Sequence, residues 1–244
     1  QLDHVSFAYD ENAEKALDDV SLTVRQGTVT ALVGESGGGK STIANLIARF
    51  WDVQEGTVNI GGVDVCDMDY GEWMKRVSIV FQDTSLFKMS ILENVATFCP
   101  DATREEILRA LHLAQCDDIL EKLPDGVDTV IGTKGIYLSG GEMQRIALAR
   151  AILKDAPVIL LDEATAFADA ENEYLIQKAL DELLRGKTVL MTILHADQIC
   201  VLEHGKIVEC GTHPELMNRG GVYARMFHEY QSSISWKIGG KQYA

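Results

Sequence analysis

Gly34-Glu-Ser-Gly-Gly-Gly39-Lys40-Ser41-Thr42 follows the β-branched and apolar run Thr28–Val33 and opens a stretch of helical period. A glycine, four residues, then glycine-lysine-serine is the spacing of a phosphate-binding loop. Glycines let the backbone curl until successive N–H groups point inward at a polyanion, and the helix beginning near Lys40 adds the positive end of its dipole. In such a loop Gly34, Ser36, Gly37, Gly38 and Gly39 form the cradle for the phosphates and Thr42 completes it. Lys40 reaches the β- and γ-phosphates, and the Ser41 hydroxyl ligates Mg²⁺. A glycine-rich turn without a ligand is the plainer reading, but the position between strand and helix is the one the phosphate mechanism requires. The stretch marks a nucleoside-triphosphate site.

Such a site also needs an acidic element for the metal. Val158-Ile-Leu-Leu161-Asp162-Glu163 supplies one, an apolar strand delivering two carboxylates at its C-terminal end, where parallel sheets bind ligands. Asp162 would hold Mg²⁺ through its water shell, and Glu163 would polarise the attacking water as general base. Adjacent acids at a strand end also serve as helix N-caps. The phosphate loop is what tips the pair towards chemistry.

The 244 residues fit one large domain, or one domain with a subdomain, at roughly 150 residues per domain. With 46% hydrophobic and 24% charged residues the chain can bury a sizeable core, which excludes a disordered or collagen-like class. Twenty-two Lys and Arg against 37 Asp and Glu give a net charge of −15, so no global basic footprint for nucleic acid exists. The apolar runs are short, Val158–Leu161 being typical, whereas a bilayer span takes about 20 residues. Cys66, Cys99, Cys116, Cys200 and Cys210 are odd in number and lack the spacing of a zinc or redox pair. They are expected to be reduced, partly buried thiols. Opening at Gln1 on strand-like sequence without Met reads as a piece of a longer polypeptide.

Residues 2–9 and 17–25 read as strands around a polar turn. From Lys40 a helix places Ile43, Leu46, Ile47 and Phe50 on one face. Strands are expected near 57–60 and 77–81, and helices over 90–123, where Thr103-Arg-Glu-Glu106 is a capping box. A helix over 140–154, the buried strand Pro157–Leu161, a helix over 170–185 and a strand over 188–193 follow. His204-Gly205 joins strands 198–203 and 206–210 as a hairpin, and the tail is helical from 213 to Ser232, then irregular. This alternation predicts an α/β class: a P-loop NTPase core with a mostly parallel sheet and an N-terminal antiparallel β-subdomain. The core is expected over 1–83 and 156–230, an inserted helical subdomain over 84–155, and the tail over 231–244.

Leu138-Ser139-Gly140-Gly141-Glu142 is a second helix start, in which Ser139 and Glu142 make a Ser-x-x-Glu capping box and two glycines leave N–H groups open to a phosphate. A chain with a complete phosphate loop hardly needs another anion site of its own. The economical explanation is a γ-phosphate bound to another copy or paralogue. In this the chain resembles the ATP-binding-cassette family over nearly its whole length. Leu-Ser-Gly-Gly-Glu is similar to the family's signature, whose last residue is more often Gln.

The resemblance implies two nucleotide-binding domains facing head to tail, as homo- or heterodimer, with ATP sandwiched between one phosphate loop and the partner's Ser139, Gly140, Gly141 and Glu142. It implies that Tyr9 stacks on adenine, that Gln82 touches Mg²⁺ and reports to the transport domain, and that Asp169 lies in a loop crossing the dimer interface. Gly132-Thr-Lys-Gly135, Gly211-Thr-His-Pro-Glu-Leu216 and Gly221-Val-Tyr-Ala-Arg-Met-Phe227 resemble exporter-type half-transporters. In those a transmembrane domain precedes the ATPase on the same chain, which places this domain at the cytoplasmic face of the cell membrane. Asp162-Glu-Ala-Thr-Ala-Phe-Ala-Asp169 is similar to a siderophore-linked subgroup.

One piece departs from the family. Between Thr188 and Ala196-Asp197 the chain is several residues short, in the stretch where the family places a histidine that holds the γ-phosphate. His195 falls beside Ala-Asp and does not inherit that role. Either a loop is missing from this sequence, or the deletion is real and hydrolysis is impaired while ATP binding through Lys40 survives. The expected function is thus an ATP-hydrolysing motor of an exporter-fold transporter. The alternatives are a regulatory cassette that binds without hydrolysing, or a soluble cassette ATPase acting on nucleic acid, which the acidic balance and the lack of sustained heptads argue against.

Overall fold

The computed structural model describes residues 1–10, 13–81, 85–132, 137–162, 170–191 and 196–239, with 170–171 and 232–239 given by backbone alone. Strands β1 (Leu2–Phe7), β2 (Leu17–Leu22) and β3 (Val29–Gly34) lead into helix α1 (Lys40–Ile47) and strands β4 (Glu55–Ile60) and β5 (Val63–Asp64). Helix α2 (Tyr70–Arg76) and strand β6 (Val77–Val80) precede helices α3 (Ile91–Ala96), α4 (Arg104–Leu113), α5 (Asp117–Lys122) and α6 (Gly140–Lys154). Strand β7 (Val158–Leu161), helix α7 (Ala170–Leu184) and strand β8 (Thr188–Met191) come next. Strands β9 (Gln198–Glu203) and β10 (Lys206–Gly211) and helices α8 (His213–Arg219) and α9 (Val222–Gly239) complete the order.

The described residues form two compact units, the first from 1–24, 28–66 and 192–244, the second from 25–27 and 67–191. In the first, an antiparallel sheet runs β2-β1-β4-β5 and buries Leu2, Val5, Phe7, Leu17, Val20, Leu22 and Val58. The same unit holds the order β10-β9-β3, in which β3 and β9 are parallel and β10 is antiparallel to β9. Ala31–Val33 and Ile199–Leu202 are buried without alternation, the pattern of strands covered on both faces. Helix α1 buries Ile43, Leu46 and Ile47. Phe50, expected on that face, is 43% exposed, because the helix stops at Ile47 and Arg49 takes a left-handed φ of 57°.

His204 and Gly205 adopt φ of 50° and 74°, the left-handed pair that a two-residue hairpin turn needs. That register sets Cys200 opposite Cys210, and the two form a disulfide. The expectation of five reduced thiols is therefore corrected. Residues ten apart in sequence, on either side of a hairpin turn, are cross-strand neighbours, and that was the signal available.

In the second unit β6, β7 and β8 are parallel in the order β8-β7-β6, with Val77 beside Val158 and Val158 beside Thr188. Helix α6 packs against α3, α4 and α7. Helix α2, which periodicity did not reveal, is capped by Asp69, whose Oδ1 accepts from Glu72 N at 2.9 Å, and it buries Trp73. Backbone helix in α9 continues to Gly239, beyond the expected break at Ser232. Among the described residues no helix is long and apolar enough to cross a membrane.

Candidate functional site

The phosphate loop sits at the end of β3, and close packing explains its glycines. A Cβ on Gly34, where φ is 154°, would lie 2.2 Å from the Leu202 carbonyl oxygen. On Gly39, with φ 104°, it would meet Leu17 Cδ2 at 2.7 Å and Ala16 O at 2.8 Å. Gly39 is also the N-cap of α1 and, having no side chain, makes no side-chain cap hydrogen bond to the start of the helix. A glycine-built backbone curl at a helix N-terminus fits a polyphosphate. Lys40 Nζ donates to Gly34 O and Glu35 O, 2.9 Å each, which holds the ammonium over the curl of the loop. Ser36, Gly37 and Ser41 are exposed, while Gly38 and Thr42 are buried.

Tyr9 lies two residues beyond β1 with its ring 46% exposed, and its hydroxyl donates to Thr42 Oγ1 at 3.1 Å. The structure thus joins Tyr9 to the phosphate loop through a residue of the loop itself.

In the second unit, Asp162 follows the last residue of β7, and its N–H donates to Val80 O at 3.0 Å, extending the β6–β7 ladder by one bond. Ser139 caps α6: its Oγ accepts from Glu142 N at 3.2 Å while Glu142 Oε2 accepts from Ser139 N at 2.8 Å. Both oxygens of the box are thus engaged by backbone, and Ser139 and Gly140 remain exposed. Gly141 is buried against α7, where a Cβ would come within 2.8 Å of Asn172 Cβ and Cγ. Its glycine is a packing requirement of α6 on α7.

Behind this helix start, Lys122 Nζ lies 3.6 Å from Glu142 Oε1 and 3.5 Å from Asp118 Oδ2. Arg145 pairs with both Asp118 oxygens, at 2.6 and 3.0 Å, and also donates to Gln115 O. The Arg145 hydrogen bond, opposed by partial desolvation, holds the Asp118 carboxyl below its usual range. Asp118, Lys122 and Asn172 were not found from the sequence, because they carry no motif and their importance comes from what they pack against. Gln82, Glu163 and Asp169 lie outside the described residues, as do Thr133, Lys134 and Gly135 of the loop before the signature and the segment 192–195 with His195.

A glycine-built loop after a buried strand, a lysine bridging its carbonyls and a capped glycine helix start together define a cassette nucleotide-binding domain. The chain belongs to the ABC transporter family, whose model matches residues 17–166. It is 51% identical over 237 residues to the mycobactin import ATP-binding/permease protein IrtA of Mycobacterium tuberculosis, covering 95% of this chain and 27% of that protein. It is 44% identical over 234 residues to the ATP-dependent lipid A-core flippase of Legionella pneumophila, covering 93% of this chain and 40% of that protein. Among solved structures it matches a bacterial Atm1-family ABC exporter with ATP bound at a TM-score of 0.87 and 37% identity, covering 94% of this chain and 41% of that one. The chain therefore spans between about a quarter and two fifths of the length of these relatives, and its α/β fold is that of their ATPase domain.

Proposed function

We propose that this chain is the ATP-hydrolysing motor of an exporter-type membrane transporter whose membrane-spanning part lies outside the 244 residues. The observation that carries the reading is the glycine-led start of α1 behind Gly39, with the Lys40 ammonium already held over the loop carbonyls. Lys40 and the loop amides bind the β- and γ-phosphates, and Tyr9 offers its exposed ring to the adenine. Hard oxygen donors suit Mg²⁺, and Ser41, Gln82 and Asp162 are the residues that would hold it. When bound, that ion neutralises charge developing on the transferred phosphoryl group. Glu163 takes the proton of the attacking water.

Ser139, Gly140, Gly141 and Glu142 serve the nucleotide of a second cassette, so that two chains close head to tail on two ATP and reopen after hydrolysis. The domain works at the cytoplasmic face of the membrane and drives translocation. The mycobactin import relatives and the Asp162–Asp169 segment together favour a siderophore-linked cargo.

Steady-state ATP turnover of the wild-type chain and of Glu163→Gln, with gel filtration in Mg-ATP, tests the reading. Loss of one general base costs about a hundredfold or more in rate. Glu163→Gln is expected to bind ATP and dimerise while losing turnover by at least that factor. Wild-type turnover in the variant removes Glu163 from its role. Tight binding without turnover in the wild type would instead establish a regulatory cassette, the reading that the short stretch after Met191 favours.

A further inference from the structure

β1 ends at Phe7, and the ladder that held it ends there too, with Ala16 N donating to Phe7 O at 2.8 Å. Past that point a side chain, not a strand, holds the backbone of Ala8 at the root of Tyr9. The side chain of Gln54 supplies both partners: its Oε1 accepts from Ala8 N at 2.8 Å and its Nε2 donates to Ala8 O at 2.8 Å. An amide thus replaces a strand neighbour for one residue.

The ring of Tyr9 is fixed from the same direction. Its centroid lies 5.4 Å from that of Trp51 at an interplanar angle of 88°, and 5.0 Å from Phe7, again at 88°. Trp51 lies 6.0 Å from Phe7, which closes a triangle of edge-to-face contacts. The left-handed turn at Arg49 that ends α1 is what carries Trp51 out to this position, where the indole is 48% exposed. Burial alone does not account for so large a ring left half in water against another half-exposed ring.

We propose that Trp51 and Gln54 are positioning residues for the nucleobase platform. Gln54 fixes the backbone beneath Tyr9 and Trp51 fixes the plane of its ring, so that the ring is presented to the base before ATP arrives. The inference rests on Tyr9 being the adenine platform. It predicts an effect on the base end of the ligand that spares the phosphate end.

The test is equilibrium binding of ATP and of inorganic tripolyphosphate, which lacks a base, to the wild-type chain and to Trp51→Ala, Trp51→Phe, Gln54→Leu and Tyr9→Ala. Losing an aromatic pair, or a hydrogen bond that orders the backbone, is worth up to about tenfold, so Trp51→Ala and Gln54→Leu are expected to weaken ATP about fivefold and to leave tripolyphosphate unchanged. Trp51→Phe, which keeps an edge for Tyr9, is expected within about twofold of wild type. Equal weakening of both ligands would overturn the proposal, since the damage would then reach the phosphate loop. So would full ATP affinity in Trp51→Ala and Gln54→Leu while Tyr9→Ala binds weakly. If Tyr9→Ala itself binds ATP like wild type, the adenine-platform reading fails instead.

Discussion

Arg145 reaches from the second turn of α6 to Asp118 on α5, Nη1 to Oδ1 at 2.6 Å and Nη2 to Oδ2 at 3.0 Å, with its own side chain 1% exposed. The pair ties the helix that begins at the signature to a helix that carries no motif. Removing one member of such a pair leaves a buried charge uncompensated, which costs more than the pair itself contributes. Asp118→Ala is therefore expected to destabilise the chain by about 3 kcal/mol, the low end for buried pairs because Asp118 is partly solvated. Urea unfolding of the two proteins checks it, and a loss of a few tenths would mean that Arg145 finds another partner.

The same pair gives a pH dependence with a definite sign. Arg145 lowers the Asp118 pKa in the folded chain, so the folded state binds that proton less readily than the unfolded state. The contribution is complete above the unfolded value near 4 and disappears as pH falls through the folded one. The difference in urea midpoint between wild type and Asp118→Asn should hold from pH 7 to about 5 and then shrink as pH is taken below about 4. A gap that stays constant over that range would show that the Asp118 titration is not linked to folding.

Gly141 illustrates what the sequence conveyed and what it withheld. The repeated glycines after Ser139 were visible as a helix start open to an anion, and the capping box is present as spacing predicts. That the second glycine is also demanded by Asn172 was not visible, because it depends on how closely α7 crosses α6. The phosphate loop was legible for the opposite reason. Its glycines, lysine and strand-to-helix context are local, and so are the hairpin at His204-Gly205 and the alternation of elements. Trp51, Gln54, Asp118 and the Cys200–Cys210 disulfide are matters of register and long-range packing. Phe50 leaves the buried face because α1 ends at Ile47, one turn sooner than the periodicity.

Gly141→Ala follows from that crossing. A methyl group 2.8 Å from Asn172 Cβ must push the helices apart, and overpacking of this kind costs about 1–3 kcal/mol. Asn172→Gly removes the clashing atoms and should restore part of the loss in the double variant, less about 1 kcal/mol for a glycine inside a helix. Thermal unfolding of the two single variants and the double variant measures the coupling. Strict additivity would show that the two residues do not compete for the same space.

Cysteine chemistry separates burial from exposure in one measurement. Burial pushes the Cys116 thiol up to about 12, whereas Cys66, also raised by partial desolvation and by Asp64 and Asp52, is exposed on the surface and open to reagent. Only thiolates alkylate, so brief iodoacetamide treatment at pH 8 should label Cys66 and leave Cys116 unmodified until the chain is unfolded. Peptide mapping reads both sites. Native labelling of Cys116 would mean that the α4–α5 region opens far more often than its packing implies.

Lys40 provides the sharpest test of the phosphate loop. Its ammonium bridges Gly34 O and Glu35 O in an exposed loop, so Lys40→Ala should cost the ligand-free chain no more than about 1 kcal/mol. Its larger effect falls on the ligand. A charged hydrogen bond to phosphate contributes about 1.5–3 kcal/mol, which corresponds to roughly a ten- to hundredfold weaker ATP affinity. A ligand that binds only the folded state raises the melting temperature in proportion to the logarithm of its concentration over Kd. Mg-ATP should therefore shift the melting temperature of the wild type and leave that of Lys40→Ala almost unmoved at the same concentration. Equal shifts in both proteins would place the nucleotide away from this loop.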